Sequence, residues 1–423
     1  MSTGTGRPDR ILVVGCHGGV GRAVLALLQH SEPGRHLREG AEEILLLDAG
    51  PPVAPVELEA ATLLPPATIG SGEDLAALVR EHRITKVIDL SSVDTVDCTR
   101  ACDTLGTHFL CTSVEEWPGR GSIPTDEAIA RLLPPRRPAL GNAAHLVGSG
   151  ANPGLVNALV FAALDAFAER AGVDPTPEAL DLHSVLITEE DTTVDGSDPG
   201  DPDVFPMTWS PFHCLEELYE PRAFAAEHGS VIGLGHRPTE RWYRARCGDH
   251  IIDGMAVPHE ETVTLATRMP GIEIGFIYRI PPAARAALAA HPERDVADAW
   301  KTRRLCPPWT TDISGQDRVG VLLCSRRFGE LWMGFETDVE LGLRYGTNAT
   351  QLQVAAGVLA GWAQLGRRTG IHFVEDLDCN AVLEVAGAVL GAPVVVYDPD
   401  APPQMLTDRV VTPVGSASLS DAP

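Results

Sequence analysis

Residues 11–28 read ILVVGCHGGVGRAVLALL, and no other stretch of the chain narrows the fold as far. An apolar run, a glycine turn and then apolar residues at helical spacing describe a buried strand feeding directly into a helix. Such a unit is stable when parallel strands flank it and the helix packs back onto the sheet. Gly15, Gly18 and Gly21, with Gly19 and Val20 before the last, form G-x-x-G-x-x-G. Glycines there let the chain turn tightly and let a pyrophosphate approach the helix N-terminus, where N–H groups point outward. Asp48 closes the next apolar run, EILLLD (43–48). A carboxylate at that place accepts hydrogen bonds from a ribose 2′-hydroxyl and repels a 2′-phosphate, so NAD is favoured. Arg22 and Arg38 leave NADP open as an alternative.

The runs TKVIDLS (85–91), HFLCTSV (108–114) and AAHLVGSG (143–150) read as further strands, with helical stretches around 73–83 and 96–105. Alternation of this kind predicts an α/β fold, a Rossmann-type doubly wound parallel sheet, over residues 1–158. From Gly172 to Pro221 there is no Lys or Arg, and the turn-rich piece DGSDPGDPD (195–203) is a loop. The segments ETVTLATRM (261–269) and EIGFIYRI (273–280) read as antiparallel strands. A second, α+β domain for substrate and dimerisation is expected over 159–346. The segment 347–400 opens on a long helix (349–365) and is expected to pack back on the first domain. The polar tail 412–423 is expected to be disordered.

The chain has 423 residues, 58 Asp plus Glu against 33 Lys plus Arg, and a formal net charge of −25. That balance excludes nucleic acid and anionic membranes as partners and suits a cationic ligand. Nine cysteines without a C-x-x-C pair, and a start without an apolar signal core, fit a soluble protein of the cytoplasm. The only lysines, Lys86 and Lys301, lie outside any expected site, which argues against Schiff-base chemistry.

Candidate chemistry collects at the carboxyl ends of strands, where open parallel sheets bind ligands. Ser91 and Asp94 lie there, although Asp94 fills a helix N-cap equally well. Glu115 and Glu116 stand beside Trp117, a set able to hold an ammonium group by charge and by ring face. Asn152 either binds the nicotinamide amide or caps a helix whose first residue is Pro153. Further along come Glu189 and Glu190 in ITEEDT, Trp209 in MTWS, Glu217 in LEEL, and His259 and Glu261 in VPHEE. His259 is a possible acid/base group, because imidazole titrates near neutral pH.

In their order these blocks resemble bacterial homospermidine synthase, of the saccharopine dehydrogenase-like group. The resemblance rests on LSSVDTVD (90–97), TSVEEWPG (112–119), GSGANPGLVNALV (148–160), ITEEDT (187–192), TWS (208–210) and VPHEE (257–261). It continues through DRVGVLL (317–323), TNATQLQVAAGVLAG (347–361) and GIHFVEDLDCNAVLEVAGAVLG (370–391). It implies a tightly held NAD that is reduced and reoxidised within one turnover. It also implies putrescine, spermidine or related amines as substrates, and a homodimer. Catalysis would fall to His259, Trp209, Glu189 and Glu217. Asp94, Glu115 or its neighbour Glu116, Asn152, Glu190, Glu261 and Asp317 would line the substrate. The cofactor would lie on Gly15, Gly18, Gly19, Val20, Gly21, Asp48, Ser91 and Asn152. Two other readings stand beside it. One is a saccharopine or carboxynorspermidine dehydrogenase-like reductase that joins an amine to a carbonyl acid with NAD(P)H. The other is a non-catalytic NAD-binding sensor.

Overall fold

The computed structural model describes residues 9–51, 58, 60–117, 123–198, 200–306 and 312–411. The tail 412–423, and Pro118 and Gly119 of the block 112–119, lie outside the described residues. The chain divides into two compact units. One comprises Met1–Ser122, Ala130–Leu155 and Val354–Val389; the other comprises Ile123–Ile129, Val156–Gln353 and Leu390–Pro423.

The first unit is built on seven parallel strands in the order Gly370–His372, Ala144–Leu146, His108–Cys111, Lys86–Asp89, Asp9–Val14, Ala41–Leu47, Ala61–Leu63. Parallel strands joined through helices are covered on both faces, which is why their residues form continuous apolar runs. Leu12, Val13, Val87, Ile88, Phe109 and Leu110 are fully buried. The path reverses at Asp9–Val14, whose neighbours are Ala41–Leu47 on one side and Lys86–Asp89 on the other. A crevice for ligand opens at the carboxyl ends of strands around such a reversal. Register sets Val14 beside both Leu47 and Asp89, so the glycine turn and the segment from Leu90 leave the sheet at one level. Short polar side chains start the flanking helices. Ser71 accepts the Asp74 N–H for Gly72–His82, and Asp94 accepts the Asp97 N–H at 2.8 Å for Thr95–Leu105.

The second unit holds a mixed sheet of ten strands. Its main path runs Val394–Asp398, Gly329–Asp338, Gln316–Ser325, Leu182–Asp191, Glu273–Arg279, His250–Ala256, Trp242–Cys247, Val410–Val411. All ten residues of Leu182–Asp191 are buried, because both faces of this central strand are covered. One face carries Leu186 and Thr188 against Ile277, Leu322 and Trp332, whose indole N–H donates to the Thr188 hydroxyl at 2.9 Å. The opposite face carries Val185, Ile187, Glu189 and Asp191.

Three local expectations are corrected here. ETVTLATRM is not a strand but most of the helix Glu260–Arg268. The turn at Pro258 and His259 starts it, and Glu260 and Glu261 stabilise its positive end, which overrides the β-branched alternation. Glu273–Arg279 is a strand, but it pairs parallel with Leu182–Asp191 and antiparallel only with His250–Ala256 and Phe224–Glu227. The helix after AAHLVGSG starts at Leu155, not Pro153. Asn152 therefore lies within the turn that the bridge of Gly150 to Gly154 closes, and not at the helix cap.

Candidate functional site

In the first unit the glycine turn has the shape of a phosphate cradle. Gly15 sits at φ +78°, and a Cβ there would lie 2.5 Å from the Leu90 carbonyl oxygen. A Cβ on Gly21 would lie 2.2 Å from the Gly15 carbonyl oxygen, so helix and strand approach as closely as glycine permits. Gly18 is the N-cap of Gly19–His30 and offers no side chain to the helix N–H groups, Val20 and Gly21 included. Asp48 follows the neighbouring strand, and its carboxylate accepts the His17 N–H at 2.8 Å and the Gly50 N–H at 3.3 Å. The turn itself thus fixes the acid expected to face a ribose.

Across the reversal, Asp89 ends its strand 2% exposed and accepts both the N–H and the hydroxyl of Ser91. Burial pushes its carboxyl up to about 7, against the pull of the Ser91 donors. Sequence reasoning passed over Asp89, because the last residue of an apolar strand reads as its end. Ser113 donates to the Glu115 carboxylate at 2.8 Å, and the Glu115 N–H is held by Thr95. Glu116 instead pairs with Arg131, which also reaches Asp94 at 3.8 Å. Trp117 is buried with its indole N–H on Asp97 at 3.2 Å, so its ring serves packing. Asp94 caps its helix, as one of the two readings held.

In the second unit the acids separate by strand alternation. Glu190 points to the arginine-bearing face, with Arg318 at 2.8 Å, His250 at 3.3 Å and Arg279 at 3.7 Å. Glu189 and Asp191 point to the other face. There Tyr278 lies in register with Glu189, and Asp317 with Asp191. Tyr278 accepts the Trp209 indole N–H at 3.1 Å and stacks on Phe276 at 5.7 Å. Trp209 is half-buried, its ring fixed at one edge. The Thr350 hydroxyl lies 2.6 Å from Asp317 and 3.4 Å from Asp191, and Thr208 donates to Asp191 at 2.6 Å. Asp317 is 0% exposed, and its Oδ1 has no partner. Burial raises the carboxyls of both, and for Asp317 the charges of Glu189 and Asp191 raise it further. Asn348 and Gln351 bind the Thr208 carbonyl at 2.6 and 3.0 Å, which gives the block NATQLQV its structural meaning.

His259 caps the following helix, between the carboxylates of Glu261, Glu260 at 3.5 Å and Glu217 at 3.9 Å. Its ring meets Phe276 edge-on at 5.1 Å. Burial disfavours the charged ring, but the Glu261 charge and hydrogen bond, then Glu217 and Glu260, push its pKa up to about 10. His259 is therefore an imidazolium at neutral pH. Burial holds the Glu217 carboxyl well above the usual range, the imidazolium opposing. Of the residues on this face and around His259, the sequence names Glu189, Trp209, Glu217, His259, Glu261 and Asp317 as candidates but not Asp191 or Tyr278.

This placement distinguishes the adjacent glutamates. Glu190→Gln removes the ion pair of a buried Arg318 and is expected to cost about 2 kcal/mol of stability. Glu189→Gln also lowers the like charge that Glu189 shares with Asp191 and Asp317, and is expected to cost less. Urea unfolding of the two variants measures the difference, and equal losses would contradict the facing assigned here.

The architecture has solved relatives. Homospermidine synthase from Legionella pneumophila, determined in complex with NAD, matches with a TM-score of 0.75 and 20% identity, over 93% of this chain and 92% of that one. The fold is that of homospermidine synthase. Saccharopine dehydrogenase (L-Glu forming) from Saccharomyces cerevisiae matches with a TM-score of 0.50 and 11% identity, over 92% of this chain and 100% of that one. No protein-family model and no curated protein matches the sequence. No helix among the described residues is long and apolar enough to cross a membrane.

Proposed function

We propose that the protein is an NAD-dependent enzyme of the homospermidine synthase type, coupling two amines such as putrescine with loss of ammonia. The observation that carries this reading is the face bearing Glu189, Asp191 and Asp317, bordered by Trp209, Tyr278 and the His259 cluster. A buried carboxylate is costly without a cation, and an extended diammonium would supply positive charge along such a face. Arg279 and Arg318 are engaged by Glu190 on the opposite face, which disfavours a carbonyl acid as the second substrate.

NAD fits the first unit: the Gly15–Gly21 cradle admits a pyrophosphate and Asp48 stands where ribose hydroxyls need an acceptor. When bound, it would take a hydride from the amine-bearing carbon and return it after the amines exchange. The chain's own residues handle charge and protons. An ammonium must lose a proton before its carbon can give up hydride, and a base that is already protonated cannot take it. With His259 an imidazolium, that role moves to Glu217 in its ionised form, which the imidazolium 3.9 Å away favours against burial. His259 then returns a proton to the departing ammonia. Trp209 stabilises the iminium charge through its ring face by roughly 0.5–2 kcal/mol. Glu189 and Asp317 anchor the far ammonium groups. A cytoplasmic homodimer belongs to the same proposal, and light scattering of the purified protein tests the dimer.

Two experiments test the halves of this reading. Gly21→Ala is expected to lower NAD affinity by at least about tenfold and to reduce thermal stability, because the new Cβ meets backbone. Gly18→Ala meets nothing closer than 3.4 Å and is expected to spare stability. Calorimetric NAD titration with thermal melts reads both; undiminished binding in Gly21→Ala would remove the cradle. For the amine half, Trp209→Phe is expected to retain some turnover and Trp209→Ala to lose about tenfold or more. Parental rates in both variants would make Trp209 ordinary packing.

A further inference from the structure

The two side chains between Gly15 and Gly18 are Cys16 and His17. One ligand atom each of Cys16, His17 and Asp48 lie within 4.8 Å of one another. Cys16 is fully buried and the His17 side chain is 8% exposed. His17 Nδ1 lies 2.9 Å from the Gly50 carbonyl oxygen, an acceptor, so the ring proton resides on Nδ1. Nε2 then keeps a lone pair, and this nitrogen is buried without a partner. A histidine whose one N–H is held by a backbone carbonyl, with the other nitrogen an unused acceptor, has the second-shell arrangement of metal-ligating histidines. Asp48 is also held, by the two backbone N–H groups of its own turn.

We infer that Cys16, His17 and Asp48 form a zinc site of three protein ligands, occupied in competition with the dinucleotide. A thiolate, an imidazole and a carboxylate suit Zn²⁺ and its mimic Co²⁺, whereas Mg²⁺ and Ca²⁺ take oxygen donors. Three protein ligands leave the fourth tetrahedral position to water. Zinc–ligand bonds are about 2.0–2.3 Å, so the three atoms, now within 4.8 Å of one another, close around the ion by side-chain rotation. Zinc binds cysteine as the thiolate, so the Cys16 thiol must give up its proton. Formation of the zinc–sulfur bond therefore releases that proton to solvent. Zinc occupies the Asp48 carboxylate that a ribose would need. The competition rests on the NAD reading; the metal site does not.

The test titrates the full chain with Co²⁺, following thiolate-to-cobalt absorption, and then displaces the metal with Zn²⁺. One equivalent is expected, with the band lost in Cys16→Ser and in His17→Gln. The histidine variant keeps the test valid if a buried serine unfolds the turn. No band in the parent, or an unchanged band in both variants, overturns the site. NAD affinity is then measured with and without one equivalent of Zn²⁺, and a loss of at least tenfold is expected. Equal or tighter NAD binding with zinc overturns the competition. A cobalt band in a protein that binds no NAD in either condition also overturns the competition, and does so through failure of the NAD reading while the zinc site stands.

Discussion

His259→Ala is expected to destabilise the second unit by about 3–5 kcal/mol and to abolish amine turnover. The imidazolium is the cation against Glu261, which is 0% exposed and has one carboxylate oxygen without a partner. Removing one partner of a buried pair leaves the other charge uncompensated, which costs that amount. For a body of this size such a loss lowers the melting temperature by on the order of 10 °C. The double variant His259→Ala with Glu261→Gln is expected to recover much of it, since no bare charge then remains buried. The pH dependence has a definite sign. A histidine raised from 6.5 to about 10 stabilises the folded state fully below pH 6.5, and that contribution fades as pH rises through about 10. Parent protein should therefore lose stability across the alkaline range by a component that His259→Ala lacks. Melts of the three proteins from pH 6 to 10.5 check this. A single variant as stable as the parent would contradict the buried ion pair assigned to His259 and Glu261.

Asp317→Asn is expected to weaken amine binding by roughly 10–150-fold, the equivalent of one charge-assisted hydrogen bond of about 1.5–3 kcal/mol. Stability without amine should hold or rise, because Asp317 faces Glu189 and Asp191 with the Thr350 hydroxyl as its one side-chain donor among the described residues. A carboxyl raised by folding stabilises the native state below its unfolded pKa of about 4 and loses that contribution as pH rises. The parent should therefore lose more stability than Asp317→Asn on moving from acid to neutral pH, and added diamine should restore it. Thermal melts with and without putrescine measure both effects. Unchanged amine affinity beside raised stability would make the Asp191–Asp317 pair a feature of folding and not of the site.

Five strands of the first unit were legible because each is an apolar run closed by a glycine or a polar residue; the largely exposed Ala61–Leu63 and the three-residue Gly370–His372 carry no such run. The second was harder. Its central strand Leu182–Asp191 is covered on both faces, so Glu189, Glu190 and Asp191 give no alternation from which to assign a side. Only the partners across the sheet decide it: Arg318 beside Glu190, Asp317 beside Asp191. The helix Glu260–Arg268 was hidden by three threonines and a valine, whose strand preference yields to the acidic first turn. The proton state of His259 was likewise out of reach. Glu261 is visible in VPHEE, but Glu217 comes from a separate helix, and the sum of their charges sets the pKa.

The most direct measurement is mass spectrometry of products after incubation with NAD and putrescine, with ammonia and NADH assayed in parallel. The expected result is a triamine of two joined aminobutyl units, one ammonia per coupling and no net accumulation of NADH. Absence of any coupled amine, or a coupled product formed only when a carbonyl acid and reduced cofactor are supplied, would contradict the proposed reaction.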